Sequence, residues 1–83
     1  MSKIVEVTEG DVRRGIPQNA SSCPIAYAVG RVYPGEVVRV DGDTIKVGSK
    51  SVRTQPEQAA FVKNFDQPST RAAAKPHRFV LDI

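Results

Sequence analysis

The segment EVVRVDGDTIKVGSKSVRT, residues 36–54, decides the fold class because apolar and polar residues alternate along it and turn residues interrupt it twice. Val38 and Val40 share one face of the first predicted strand, and Ile45 and Val47 share the matching face after the D-G-D turn. The turn GSKS and the short strand SVRT follow. This pattern predicts a β-meander of antiparallel strands.

Helices are predicted around the meander from residues that begin and end helices. Thr8 caps a first short helix, which Gly15 ends. Cys23 occupies the N-cap of a second helix, with a proline at the first helical position. The apolar stripe of this helix consists of Ile25, Ala28, Val29 and Val32. Thr54 and Glu57 stand in capping-box spacing and predict the start of a third helix.

Alternating residues at both ends of the chain, KIVEVT and HRFVLDI, predict two more strands. These strands pair either with each other or with the meander. The element order is β-α-α-β-β-β-α-β, which indicates an α+β fold whose small, mainly antiparallel sheet is covered by helices on one face. We expect residues 1–83 to form a single domain and the polar, proline-bounded stretch 67–76 to be a mobile connector.

The composition argues against a disulfide-stapled secreted protein and against a membrane-spanning one. The chain of 83 residues carries 12 Lys and Arg against 9 Asp and Glu, a mild basic excess, and has one cysteine. A single thiol allows no internal disulfide, which favours a reducing compartment. The first residues, MSKIVEVTEG, contain early charges and no apolar core of a signal peptide, and no apolar run is long enough to span a membrane. These features predict a soluble, cytoplasmic protein.

Four motifs resemble those of small uncharacterised accessory proteins encoded by tailed bacteriophages: VTEGDVRRG, the C-P-I-A helix start in CPIAYAV, PEQAAFVKNFD and the terminal FVLDI. The resemblance spans nearly the whole chain and brings no active site with it. It implies a phage protein made in the host bacterial cytoplasm that acts by binding a host protein.

The sequence gives little evidence for a catalytic site or a metal site. Cys23 at a helix start could be a reactive thiol, yet free cysteines are among the most buried residues, and its one candidate base is the distant His77. Whether the two side chains meet is open. The D-G-D turn lacks the other acidic positions of a calcium loop. We expect no enzyme activity, no metal and no cofactor.

An anion site is one alternative function. Asn19, Ser21 and Ser22 precede the second helix, whose backbone N–H groups favour anions, and Arg13 and Arg14 could fold toward them. The spacing of a phosphate-binding glycine loop is missing, and serine before a helix is more often a cap.

Partner binding is the function that the sequence favours. The alternation places Arg39 and Lys46 on the solvent face of the meander, together with Lys50 or Arg53. Exposed Tyr27 and Tyr33 favour contact with a protein, although each could instead cover the core. The first hypothesis is therefore a host protein as partner, bound through Tyr27, Tyr33, Arg39, Lys46 and Arg53. The second is nucleic acid on the basic sheet face, which lacks stacking aromatics.

Overall fold

A computed structural model describes residues 2–83, and its elements follow the predicted order. The strands are β1 (Ser2–Val7), β2 (Val38–Val40), β3 (Thr44–Val47), β4 (Lys50–Arg53) and β5 (His77–Asp82). The helices are α1 (Glu9–Arg14), α2 (Pro24–Val32) and α3 (Pro56–Asp66), and a 3₁₀ turn covers Arg71–Ala73. The α+β class with antiparallel pairing is confirmed.

The strands form two separate antiparallel sheets. The terminal strands β1 and β5 pair with each other, Ser2 opposite Asp82 and Val7 opposite His77. The meander forms the second sheet in the order β2-β3-β4, with Val38 opposite Val47 and Val40 opposite Ile45. The predicted match between the two apolar faces across the hairpin is therefore confirmed, and the open question about the terminal strands is answered.

Two of the helix starts are confirmed, and the third lies one residue later than expected. The Thr8 hydroxyl accepts the N–H of Asp11 at 3.2 Å while the Asp11 carboxylate accepts the N–H of Thr8 at 2.9 Å, a complete capping box. Helix α3 begins after Gln55, whose N–H is accepted by the Gln58 side chain at 3.0 Å. The Thr54 hydroxyl instead donates to the carbonyl of Gly42 at 2.9 Å, so the predicted pair of Thr54 and Glu57 is wrong.

The core lies between the two sheets and the helices. Helix α2 packs against both β1 and β2, and α1 packs on α2. Most of the apolar side chains that the sequence places inward are buried, whereas Val32 of α2 and Val38 of β2 are half-buried. The buried ones include Val5 and Val7 of β1, Ile25, Ala28 and Val29 of α2, Val40, Ile45 and Val47 of the meander, Phe61, Val62 and Phe65 of α3, and Phe79 and Leu81 of β5. One apolar cluster thus joins both ends of the chain to the meander.

The stretch 67–76, predicted to be a mobile connector, is attached to α3 by hydrogen bonds. The Thr70 hydroxyl donates to the carbonyl of Asn64 at 3.0 Å, and Nε of Arg71 donates to the carbonyl of Phe65 at 2.7 Å. Ala74 is buried in the core. These contacts fix the path of the chain from α3 to β5; mobility of the stretch stays a prediction.

Candidate functional site

The outer face of the meander presents a cluster of cations, which we call the basic face and define as Arg39, Lys46 and Arg53. Arg39 lies directly opposite Lys46 in the ladder between β2 and β3. Arg53 lies opposite Thr44, two positions from Lys46 on β3, so it projects from the same side. All three side chains are exposed. Lys50 has the other parity and lies outside this face.

The cations of the basic face have no carboxylate within ion-pair distance among residues 2–83. Asp41 supports the face from the turn between β2 and β3. Its carboxylate accepts the N–H of Thr44 at 2.8 Å and that of Asp43 at 3.0 Å. These backbone hydrogen bonds lower the pKa of Asp41, so the turn is held by an ionised carboxylate at neutral pH. The charge of Lys46 adds to the lowering of the Asp41 pKa, although the two groups lie outside ion-pair distance. No carboxylate of residues 2–83 therefore pairs directly with the basic face.

Tyr27 lies in α2, Tyr33 is its C-cap residue, and both side chains are half-buried. Tyr33 lines a cavity together with Val47 of β3 and Lys50 of β4, on the side of the meander away from the basic face. The guanidinium of Arg14 lies 5.6 Å from the centre of the Tyr27 ring, and the Lys3 ammonium lies 5.1 Å from that of Tyr33. The Tyr33 hydroxyl is buried and has no hydrogen-bond partner in the described chain. Both rings are therefore less open to a partner than the sequence indicates, because cations already cover them.

Cys23 is buried and serves as the cap of α2, as the sequence predicts. Its Sγ accepts the N–H of Ala26 at 3.4 Å. Burial raises the pKa of the Cys23 thiol, and the nearby backbone N–H groups offset this effect only in part. The thiol is thus protonated at neutral pH and is a weak nucleophile.

His77 lies on the other side of α3 from Cys23. Its ring is 5.0 Å from the ring centre of Phe61 and 5.9 Å from that of Phe79. Nδ1 donates to the carbonyl of Lys75 at 3.0 Å. Cys23 and His77 line different cavities, and no hydrogen bond recorded for residues 2–83 joins them. The geometry brings together no pair of nucleophile and base from these two residues.

The residues of the predicted anion site are largely engaged with one another. The Asn19 side chain accepts the N–H of Ser21 at 3.1 Å, and the Asn19 carbonyl accepts the N–H of Ser22 at 3.2 Å. Arg14 pairs with Asp11 at 3.3 Å, and Arg13 is exposed on α1.

The cavity beside this segment has a volume of about 210 Å³ and is lined by Asn19 and Cys23. Asp41 and Asp66 also line it. Two carboxylates at one cavity oppose the entry of an anion, so its electrostatics favour a neutral or cationic group. Within residues 2–83, no group of three or more His, Cys, Asp or Glu side chains could hold a metal ion.

An ion pair between a buried Asp11 and a partly exposed Arg31, which the sequence did not indicate, joins α1 to α2. Asp11 is fully buried and accepts from Arg31 at 2.7 Å and 2.5 Å. Arg31 also donates to the carbonyl of Glu6 at 2.9 Å. Burial alone raises the pKa of Asp11, but the hydrogen bonds from Arg31 and Thr8 outweigh it and bring the pKa down to about 2. This pair locks α1 and β1 onto α2 and leaves the basic face untouched.

A second feature that the sequence did not reveal is a cleft between the two sheets, with a volume of about 140 Å³. Val52 and Arg53 of β4 line one side of it, and residues 79–82 of β5 line the other. Gln58 of α3 also lines the cleft. We call it the inter-sheet cleft. Arg53 belongs both to this cleft and to the basic face.

The chain matches no protein-family model, no curated protein and no solved structure. Across the described residues, none of the helices has the length and apolar character that crossing a membrane requires. The basic face, the inter-sheet cleft and the ion pairs are the features of the described chain that bear on its function.

Proposed function

We propose that this protein is a small, non-enzymatic binding protein that engages another protein through its basic face. The observation that carries the proposal is the exposure of Arg39, Lys46 and Arg53 on one side of the meander, without carboxylates within ion-pair distance in the described chain. Unpaired charges on a sheet attract an oppositely charged surface and set the orientation in which it docks. The partner surface is therefore acidic.

The partner we propose is a host bacterial protein, and the place of action is the bacterial cytoplasm. The support is the resemblance of VTEGDVRRG, CPIAYAV and PEQAAFVKNFD to accessory proteins of tailed bacteriophages. A protonated, buried Cys23 separated from His77 supports a role in binding rather than in catalysis. Tyr27 and Tyr33 remain candidates for the rim of the interface, because half-buried tyrosines can contact both core and partner.

Nucleic acid is the second candidate, and the same cations favour it. Arg39, Lys46 and Arg53 could each neutralise a phosphate. The other side chains on this face are Thr44 and Ser51, which offer no ring on which a base could stack. A protein partner therefore fits the basic face better than single-stranded nucleic acid.

Capture from a bacterial lysate by the tagged protein tests the proposal. We expect one stoichiometric protein to be retained by the natural sequence and lost with Arg39→Glu/Lys46→Glu. The matched control is Arg13→Glu/Lys63→Glu, which changes the net charge equally at two exposed cations outside the face. Loss of the partner with both double variants, or retention with both, would contradict a role for the basic face.

A titration with labelled DNA and RNA separates the two candidates. If nucleic acid is the partner, affinity falls steeply between about 50 and 200 mM salt, and a plot of log K against log salt concentration has a slope of about −2.7 for three neutralised phosphates on duplex DNA. If a protein is the partner, the oligonucleotides bind weakly and Arg39→Glu/Lys46→Glu changes only capture of the protein. Tight nucleic-acid binding that needs Arg39 and Lys46 would replace the first proposal with the second.

A further inference from the structure

The sheet of β1 and β5 has one side that faces away from the core, and an apolar pair lies at its centre. We call this side the terminal face and define it as Ser2, Ile4, Glu6, Arg78, Val80 and Asp82, all of which are exposed. Ile4 lies directly opposite Val80 in the ladder, and the two residues are 64% and 57% exposed. An antiparallel sheet with one side on the core carries polar side chains on its other side. Two large apolar side chains at the centre of the terminal face therefore indicate a surface that another molecule covers.

Charged side chains beside this pair give the terminal face a pattern that is complementary to itself. Glu6 lies opposite Arg78, and Oε2 of Glu6 is 3.8 Å from Nη2 of Arg78, at the long end of ion-pair range. The Arg78 and Glu6 side chains remain 71% and 64% exposed. An exposed pair of this kind contributes little within one chain, so each charge gains from a second ionic contact. The face thus presents a cation and an anion side by side, next to the apolar pair.

A two-fold axis parallel to the strands converts this pattern into a matched interface. Such an axis places β1 of one copy over β5 of the other, so Ile4 meets the second copy's Val80. Because Glu6 and Arg78 are opposite each other in the ladder, Glu6 meets the second copy's Arg78 and Arg78 meets its Glu6. The four charges then alternate in sign, and no like charges face each other.

The remaining residues and the spacing of packed sheets fit the same arrangement. Ser2 lies opposite Asp82, so the axis sets a hydroxyl against a carboxylate at the other end of the face. Asp82 already has an interaction of its own, and the arrangement requires no further contact from it. Sheets that pack face to face lie about 10 Å apart with their strands aligned within about 30°. Glutamate and arginine side chains that extend from both sheets meet across this distance.

We propose that the terminal face binds the same face of a second copy of this chain, in a two-fold dimer joined by two ion pairs between Glu6 and Arg78. Each strand has six residues, so the face measures about 20 Å by about 10 Å. This is well below the roughly 800 Å² per partner of a standard interface. The dimer is therefore weak and reversible, and it forms at protein concentrations of about 0.1–1 mM. It goes beyond the proposed function and does not require the basic face.

Sedimentation velocity from about 10 µM to about 1 mM tests the proposal at about 0.15 M salt, where distant charges are screened. We expect the sedimentation coefficient of the natural sequence to rise toward that of a dimer. Ile4→Thr/Val80→Thr weakens association at least about tenfold, because each lost methyl group is lost from both copies. The matched control is Val37→Thr, which changes a residue 72% exposed outside the face and leaves association unchanged. A natural sequence that stays monomeric throughout this range would overturn the proposal.

Exchange of the two charges tests which residues meet between the copies. Glu6→Arg and Arg78→Glu are each expected to abolish self-association, because like charges then face each other. An equimolar mixture of the two variants restores a dimer, since every contact between the copies again joins opposite charges. Glu6→Arg/Arg78→Glu in one chain restores it for the same reason. Lys63→Glu, at an exposed cation of α3, changes the net charge as much as Arg78→Glu and leaves the dimer intact.

Urea unfolding checks that the single variants are folded, and the mixture supplies a gain of association that loss of folding cannot produce. Self-association of Glu6→Arg at the natural strength, or no dimer in the mixture, would refute the pairing of Glu6 with Arg78. Arg39→Glu/Lys46→Glu should dimerise as the natural sequence does. If it does not, the contact between copies uses the basic face and the terminal-face proposal fails. Capture of a bacterial protein is unaffected by Glu6→Arg, so the dimer and the proposed function fail separately.

Discussion

At the scale of single residues, Asp11 is the fully buried carboxylate that links α1 to α2. Its buried carboxylate accepts hydrogen bonds from Arg31 and Thr8. We expect Asp11→Asn to destabilise the protein by about 2–3 kcal/mol, because Arg31 loses its charged partner and one buried amide donor is left unpaired. Urea unfolding measures this change.

Asp43→Asn is the matched control, because Asp43 is exposed in the turn between β2 and β3. Its free energy of unfolding should stay within about 0.5 kcal/mol of that of the natural sequence. Equal effects of the two substitutions would show that the ion pair contributes no more than a surface carboxylate.

The pH dependence of stability follows from the same carboxylate. The folded pKa of Asp11 is about 2, against 3.8 for the free side chain. Because the folded value is lower, the stabilisation is fully present above pH 3.8 and is lost as pH falls through about 2. The shift corresponds to roughly 2 kcal/mol. Urea unfolding from pH 7 to pH 2 should therefore show the gap between the natural sequence and Asp11→Asn closing in acid. A constant gap would contradict the assignment.

At the scale of elements, Gly15 determines how closely α1 approaches the start of α2. Any residue can adopt its φ of −62°, so glycine is required here because neighbouring atoms leave no room for a Cβ. An added Cβ would lie 2.5 Å from Cδ of Pro24 and 3.0 Å from Cζ of Phe65. We expect Gly15→Ala to cost about 1–3 kcal/mol in the free energy of unfolding.

Gly42→Ala is the control for this substitution, because an added Cβ there meets no atom within 4 Å. It should leave the midpoint of thermal unfolding unchanged or raise it slightly, since alanine restricts the unfolded chain. A Gly15→Ala protein as stable as Gly42→Ala would mean that Pro24 moves aside without cost.

The sequence predicted the elements well where local chemistry decides them. Thr8 and Cys23 cap their helices because a short side chain that can accept a hydrogen bond precedes a helical run in each case. The matching apolar faces of β2 and β3 followed from alternation across a tight turn. The predicted start of α3 was wrong by one residue, because threonine caps helices more often than glutamine does. The sequence does not show that the Thr54 hydroxyl donates to Gly42 instead, which leaves Gln55 as the N-cap residue.

At the scale of the whole molecule, β1 and β5 stabilise the fold together. Val5 is fully buried and lies opposite Phe79 in the ladder. We expect Val5→Ala to cost about 2–3 kcal/mol and to speed amide hydrogen exchange in both strands, because neither has another strand partner in the described chain. Ile4→Ala, at a position 64% exposed on the outer side of β1, should cost under about 1 kcal/mol. Faster exchange in β1 alone would show that β5 is held independently.

The features that the sequence does not reveal all depend on contacts between distant residues. Asp11 and Arg31 lie 20 positions apart on different helices. The basic face was predictable because Arg39 and Lys46 are neighbours across one hairpin. The inter-sheet cleft was not, because it exists only once β5 and β4 belong to different sheets, and Gln58 resembles any polar helix residue until its burial is known.

The pairing of β1 with β5 has a consequence for synthesis of the protein. Strand β1 leaves the ribosome before the meander and all the helices, yet its partner is the last of the described elements to be made. Because synthesis adds about 5–20 residues per second, the backbone of β1 stays unpaired for several seconds after it leaves the ribosome. Lys3 and Glu6 place charges within this waiting strand, and such residues oppose aggregation of a nascent apolar segment. Lys3 and Glu6 therefore oppose aggregation of the nascent chain before they take their places in the folded sheet.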